Sequence, residues 1–253
     1  MKLTRPVQFK KDKVESLMLN NAIVITGAGQ RIGLYLAKQF LTLTDYPVVF
    51  SYRTHRVGVD ELLALGAIGI QVDFTETDSI DSFFNKLTAQ VSSIRGVIHN
   101  ASVWAKDAQI ENDASLFDAM LKLHIEVPYR LNNQLKPLMD RCDQPLKDII
   151  SITDSTVAND THIAYSASKA GLQDMTKNFA KKYAPEIKVN SIAPGLILFN
   201  EDDSESYKKR RLAQSAIRIE PGADVIWQTI QYLMKSPYIT GETIVVDGGK
   251  KLI

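Results

Sequence analysis

The chain has 253 residues, with 30 Lys and Arg against 29 Asp and Glu, a formal net charge of +1 at pH 7. So small a charge supplies no long-range field for collecting polyanions, which argues against nucleic acid or an anionic membrane surface as the main partner. Hydrophobic residues at 45% with charged residues at 23% exclude a disordered chain, and the one cysteine, Cys142, rules out an internal disulfide and fits a reducing, cytoplasmic location.

Residues 1–20 are basic but hold no apolar stretch long enough for a signal-peptide core, and no later run approaches a membrane span. They read as an N-terminal extension to a single domain over 21–253. From Asn21 onward, short β-branched runs alternate with segments of helical periodicity, the pattern of a parallel sheet with helices on both faces. Strands are predicted at Ala22–Thr26, Val48–Tyr52, Ile68–Val72, Gly96–Asn100, Asp148–Thr153, Val189–Ala193 and Thr243–Asp247. Helices are predicted at Arg31–Leu43, Val59–Leu65, Ser79–Ser92, Ser115–Met139, Tyr165–Tyr183 and Ala223–Lys235. The result is one α/β domain, a doubly wound Rossmann fold with a seven-stranded parallel sheet, whose ligands lie beyond the carboxyl ends of the strands.

The first strand runs into Thr26-Gly27-Ala28-Gly29-Gln30-Arg31-Ile32-Gly33 and then a helix. Glycines at such a turn let the backbone approach a pyrophosphate, and the helix N-terminus supplies unpaired N–H groups. The spacing is GxGxxxG, one residue longer than GxGxxG. At the end of the second strand, where an acid would hold an NAD ribose, Arg53 and Thr54 stand instead and favour the 2′-phosphate of NADPH. Asp73, after the third strand, is placed to accept from the adenine amino group. Tyr165 and Lys169 are i, i+4 on a predicted helix, so phenol and ammonium share a face and the cation favours the phenolate. The segment from Pro194 to Glu220 reads as a lid near 196–220 that could carry a short helix. Its Lys208-Lys209-Arg210-Arg211 run, next to Glu201, Asp202, Asp203 and Glu205, reads as a solvated face. The histidines show no metal-ligand spacing, so no metal is predicted.

Six features in chain order, Thr26-Gly27…Gly33, Asp73, His99-Asn100-Ala101-Ser102, Tyr165…Lys169, Pro194-Gly195 and Asp247-Gly248-Gly249, resemble the short-chain dehydrogenase/reductase family. Arg31 in TGxxxRxG, Asp154 where the family's catalytic serine follows strand five, and Trp104 beyond Ser102 resemble its pteridine reductase branch. The resemblance implies NADPH-dependent reduction of a 7,8-dihydropterin, with 7,8-dihydromonapterin the best single substrate and dihydrofolate a weak one. It implies a catalytic group of Tyr165, Lys169 and Asp154, in which Lys169 lowers the tyrosine pKa and holds the nicotinamide ribose. The implied cofactor site comprises Gly27, Arg31, Ile32, Gly33, Arg53, Thr54, Asp73, Phe74, Asn100, Ala101, Ser102, Tyr165, Lys169, Pro194, Gly195 and Leu196. The implied substrate site comprises Arg31, Ser102, Trp104, Asp154 and Tyr165, and the implied assembly is a homotetramer.

Each departure has a physical reading beside a plainer one. A pterin presents an amidine-like edge of N–H donors that the Asp154 carboxylate can satisfy, while a turn-forming aspartate is the alternative. Trp104 offers a flat face for stacking, or is a rim tryptophan. His124 falls where the family carries a catalytic asparagine and is either part of a proton relay or a satisfied buried histidine. Asp154 precedes Tyr165 by eleven residues where the family has thirteen, so either the loop is shorter or the pair is altered. Two rival functions remain, a reductase of a ketone or 3-oxoacyl group, disfavoured by a carboxylate beside a developing alkoxide, and a cofactor-binding module without catalysis.

Overall fold

The computed structural model describes residues 18–155 and 160–253. Seven strands form one parallel sheet in the order β3-β2-β1-β4-β5-β6-β7. These are β1 (Ala22–Ile25), β2 (Val48–Tyr52), β3 (Ile68–Gln71), β4 (Ile94–His99), β5 (Lys147–Ile152), β6 (Ile187–Pro194) and β7 (Thr243–Val246). Register runs Ile23↔Val48 and Ile25↔Ile98 on the two sides of β1, so the order reverses between β1 and β4. That reversal opens a crevice at the carboxyl ends of these strands.

Two apolar layers sandwich the sheet. Helix α1 (Arg31–Leu43) buries Gly33, Leu36, Ala37 and Phe40, an i, i+3, i+4, i+7 stripe, against the face formed by Ile23, Ile25 and Phe50. α2 (Val57–Ala64) and α9 (Asp224–Lys235) complete that layer, where Trp227 meets Phe40 edge-on at 4.8 Å. On the other face α3 (Ser79–Thr88), α6 (Val127–Asp140) and α7 (Ile163–Tyr183) pack Phe83, Leu131, Leu135 and Phe179 over Val24, Val97 and Ile149. At the end of the sheet away from the crevice, Asp148 on β5 pairs with Arg95 on β4 at 2.6 Å. Lys188 on β6 stands 3.0 Å from its other oxygen, close enough for ion pairing but not aligned as a hydrogen bond, and donates to Leu233 O and Ser236 O. No helix among the described residues is long and apolar enough to cross a membrane.

The structure corrects several predicted boundaries. The segment predicted as one helix over Ser115–Met139 is α5 (Ser115–Leu121), a π-helical turn at Lys122–Glu126, and α6. Pro128 explains the break, because it has no N–H for the carbonyl four residues back and its ring crowds that carbonyl; the wider turn is closed instead by Val127 N–H to Lys122 O. β4 begins two residues earlier than predicted, and β6 extends by two residues at its start and one at its end. Two short helices were not placed by periodicity, α4 (Asp107–Ile110) and, inside the 196–220 segment, α8 (Glu205–Leu212). Of the N-terminal extension, residues 1–17 lie outside the described residues, while Leu19 bridges to Val91.

Candidate active site

At the crevice, the strand ends and the loops that follow them enclose a cleft of about 560 Å³. Every predicted cofactor and substrate residue lines it, from Gly27, Arg31, Ile32 and Gly33 through Arg53, Thr54, Asp73 and Phe74 to Asn100, Ala101, Ser102 and Trp104. Asp154, Tyr165, Lys169, Pro194, Gly195 and Leu196 complete the set.

The glycine turn is held from several sides. Ser51 Oγ accepts from Gly27 N–H at 3.0 Å, Thr26 Oγ1 accepts from the N–H groups of Asn100 and Ala101, and Asn100 Nδ2 donates to Gly27 O at 2.8 Å. Asn100 thus spends its amide donors on the turn. A Cβ on Gly33 would come within 2.5 Å of both Asn100 Nδ2 and Gly27 O, and one on Gly27 within 2.7 Å of Ala101 Cα. These two glycines are therefore demanded first by the protein's own packing. The first turn of α1 has no side-chain cap and no acid, so its N–H groups and dipole suit an anion. With Arg53 and Thr54 at one end and no acid after β2, the residues present fit a dinucleotide phosphate chain.

Arg31 opens α1 at φ +54°, the left-handed region that favours glycine. Its guanidinium donates to Asn200 Oδ1 at 2.5 Å and to Leu198 O at 3.0 Å, bracing the segment after β6 across the cleft. Beyond β3, Asp73 Oδ1 accepts from Thr75 N–H and Oγ1–H. Burial works to raise the Asp73 pKa but is outweighed by these bonds and by Arg53 and Lys122, so the carboxyl stays below its usual range.

At the other end, α7 and the end of β5 bring Tyr165 Oη to 3.4 Å from Asp154 Oδ2, so the shorter loop still leaves the two groups facing each other. Burial, then the charge of and the bond to Asp154, raise the tyrosine pKa above its ordinary value. This corrects the expectation that Lys169 lowers it. Lys169 Nζ is 5.8 Å from the centre of the phenol ring and donates to Ile152 O at 3.0 Å. Burial pushes the Lys169 ammonium down to about 8 against the opposing pull of Asp154. Asp154 itself is raised, because burial outweighs Lys250, Lys169, the Tyr165 bond and Arg211.

His124 is fully buried, and both ring nitrogens are partnered, Nε2 with Ser102 Oγ and Nδ1 with Ser168 Oγ, each at 2.8 Å. Ser168 gives its only hydroxyl proton to Tyr165 O at 2.7 Å. It must then accept from Nδ1–H, which leaves Nε2 to accept from Ser102. His124 is thus a neutral, satisfied histidine, held down to about 2 by burial and by the Lys169 charge. The Ser102 proton is committed inward, so its lone pairs face the phenol and the cleft. Trp104 is half-exposed, with one face tilted 35° onto His162 at 4.9 Å.

The sequence did not single out Phe199, Asn200 and Tyr207, and it read Arg211 as part of a solvated face, yet all four line the same cleft from the segment after β6. The charged, weakly periodic sequence there carries no signal of which side faces inward.

Comparison with known proteins follows from this geometry. The family model for enoyl-(acyl carrier protein) reductase matches residues 27–251. The chain belongs to the short-chain dehydrogenase/reductase family. It is therefore an NAD(P)-dependent oxidoreductase. Dihydromonapterin reductase of Klebsiella pneumoniae is 44% identical over 232 residues, covering 91% of this chain and 96% of its own. The enzyme of that name from Escherichia coli K12 is 41% identical over the same coverage. The structure of FolM alternative dihydrofolate reductase 1 from Brucella canis, complexed with NADP, shares the fold with a TM-score of 0.82 at 24% identity. The match covers 93% of this chain and 96% of the other.

Proposed function

We propose that this short-chain reductase uses NADPH to reduce a 7,8-dihydropterin to the tetrahydropterin, with 7,8-dihydromonapterin as its best single substrate. The observation that carries this reading is a carboxylate, Asp154, facing the Tyr165 phenol on the same cleft wall as a half-exposed indole, Trp104. The relatives at 41–44% identity support it.

The pterin ring would lie on the open face of Trp104, whose other face His162 already covers. Asp154 accepts from the donor edge of the ring, which a neutral serine could satisfy only in part. NADPH, when bound, would supply a hydride for C6, and N5 would then need one proton. Tyr165, kept neutral by burial and by Asp154, holds that proton at Oη. Solvent reprotonates the phenolate left behind, and Lys169 would hold the nicotinamide ribose. Arg53 and Thr54 hold the 2′-phosphate, and Asp73 the adenine amino group. Exposed Phe117 and Leu121 on α5 and Tyr129 on α6 leave apolar surface for packing between subunits, in keeping with a homotetramer.

The test is NADPH oxidation with dihydromonapterin, with NADH as control and Asp154→Ala and Tyr165→Phe as variants. Turnover that prefers NADPH and falls at least about a hundredfold in each variant is expected. Unchanged turnover in both variants overturns the site, and greater activity on 3-oxoacyl substrates than on any dihydropterin overturns the substrate class.

A further inference from the structure

Beyond the Tyr165–Asp154 pair the cleft widens into an outer vestibule of about 710 Å³ that shares Arg31, Trp104, Asp154 and Tyr165 with it. Besides Arg31 of α1, three further elements bring cations to its wall, Lys106 ahead of α4, Arg210 and Arg211 on α8, and Lys250 in the C-terminal turn. Among the described residues, Asp154 is the one carboxylate that lines it.

The run Lys208–Arg211, expected to be a solvated face, is thereby divided. Lys208 is paired with Glu205 at 2.9 Å, while Arg210 and Arg211 line the vestibule. Asp154 feels the charges of Lys250 and Arg211, while Lys106 and Arg210 are in none of the ion pairs among the described residues. Arg210 lies over the Tyr207 ring at 5.4 Å, and Lys250 donates to Ser155 O at 3.3 Å. Arg211 donates from Nη1 to Gln214, and its Nε is buried without an acceptor. Five cations around one cavity, Arg31 among them, repel each other. An anion in the vestibule relieves that repulsion.

The cofactor phosphates do not meet all of these cations, because Gly27, Gly29, Gly33 and Arg53 line only the inner cleft, while Lys106, Arg210 and Lys250 line only the vestibule. We infer that the vestibule is a subsite for an anionic group, a carboxylate or a phosphate, on the tail of the pterin. The inference rests on the dihydropterin reading and adds to it a preference by tail charge. The ring chemistry is the same for every tail, so discrimination appears in KM.

The experiment measures KM at saturating NADPH for four substrates. One is dihydromonapterin, whose tail is neutral; two are dihydrofolate with one and with three glutamates; the last is a dihydropterin ending in a phosphate. Wild type, Arg210→Gln and Lys106→Glu are compared at low and high KCl, with the melting temperature of each variant as a check of folding. The expected result is that KM for an anionic substrate, taken relative to dihydromonapterin, rises about tenfold per variant, the equivalent of one charged hydrogen bond, and rises with salt. A response confined to the glutamylated substrates assigns the subsite to carboxylates, and one confined to the phosphate assigns it to phosphate. Ratios unmoved by variant and by salt overturn the inference while dihydromonapterin turnover keeps the pterin reading intact. Absence of turnover with all four overturns that reading and this inference with it.

Discussion

Acid should unfold this protein in a way that two buried histidines dominate. His124 is held down to about 2 and His99 to about 4, each first by burial, against an ordinary value of 6.5. His99 sits at the end of β4 with Nε2 at 2.7 Å from Asn132 Oδ1. Both pKa values are depressed in the folded state, so the unfolded chain binds protons that the native state refuses. Stability is then lost as pH falls through the unfolded value, and the loss stops growing only below the folded one. At pH 5 each histidine lies about 1.5 units below its unfolded pKa, worth about 2 kcal/mol, so the pair removes about 4 kcal/mol between pH 7 and 5. That is a large share of the roughly 5–15 kcal/mol that holds a typical domain folded. Urea denaturation followed by circular dichroism at pH 7, 6, 5.5 and 5 reads this as a slope. His124→Asn should lower stability at every pH yet remove about half of the slope, and His99→Asn should remove most of the rest. A His124→Asn protein with the wild-type slope would refute the reasoning, because it would mean that His124 takes up a proton without breaking its bonds to Ser102 and Ser168.

Two further outcomes follow from particular contacts. Asp148→Asn leaves Arg95 and Lys188 buried without their shared carboxylate and should cost about 3–5 kcal/mol in urea denaturation; a loss below about 1 kcal/mol would mean that the two cations find other partners. Arg53→Ala should raise the KM for NADPH about tenfold while leaving that for NADH nearly unchanged, and an equal effect on both cofactors would show that Arg53 does not read the 2′-phosphate.

The sheet was legible because parallel strands buried on both faces are short, nearly continuous apolar runs, and Ala22–Ile25, between Asn21 and Thr26, and Val48–Phe50, after Pro47, are such runs. The helix over Ser115–Met139 was misread as unbroken because its apolar spacing survives the π-helical turn, and only Pro128 in the sequence marks the fault. Among site residues, those whose chemistry is local were visible. Tyr165 and Lys169 share a helix face whatever surrounds them. What surrounds them was not visible, and it reverses the sign of the expected tyrosine shift, since burial and a carboxylate 3.4 Å away act more strongly than a cation whose nearest partner is a backbone carbonyl.

That reversal bears on how the site would work. A phenol lowered toward neutrality by Lys169 would be partly ionised before substrate arrives and would serve oxidation and reduction alike. The Tyr165 phenol is instead raised above its ordinary value by burial and by Asp154, against a smaller opposing bond with Ser102, so it stays protonated at neutral pH. In the role proposed for Tyr165, such a site would enter the reaction with its proton already in place at Oη. It would favour the direction in which a ring nitrogen gains a proton, because the reverse reaction would first place a charge on an oxygen that burial and Asp154 both disfavour.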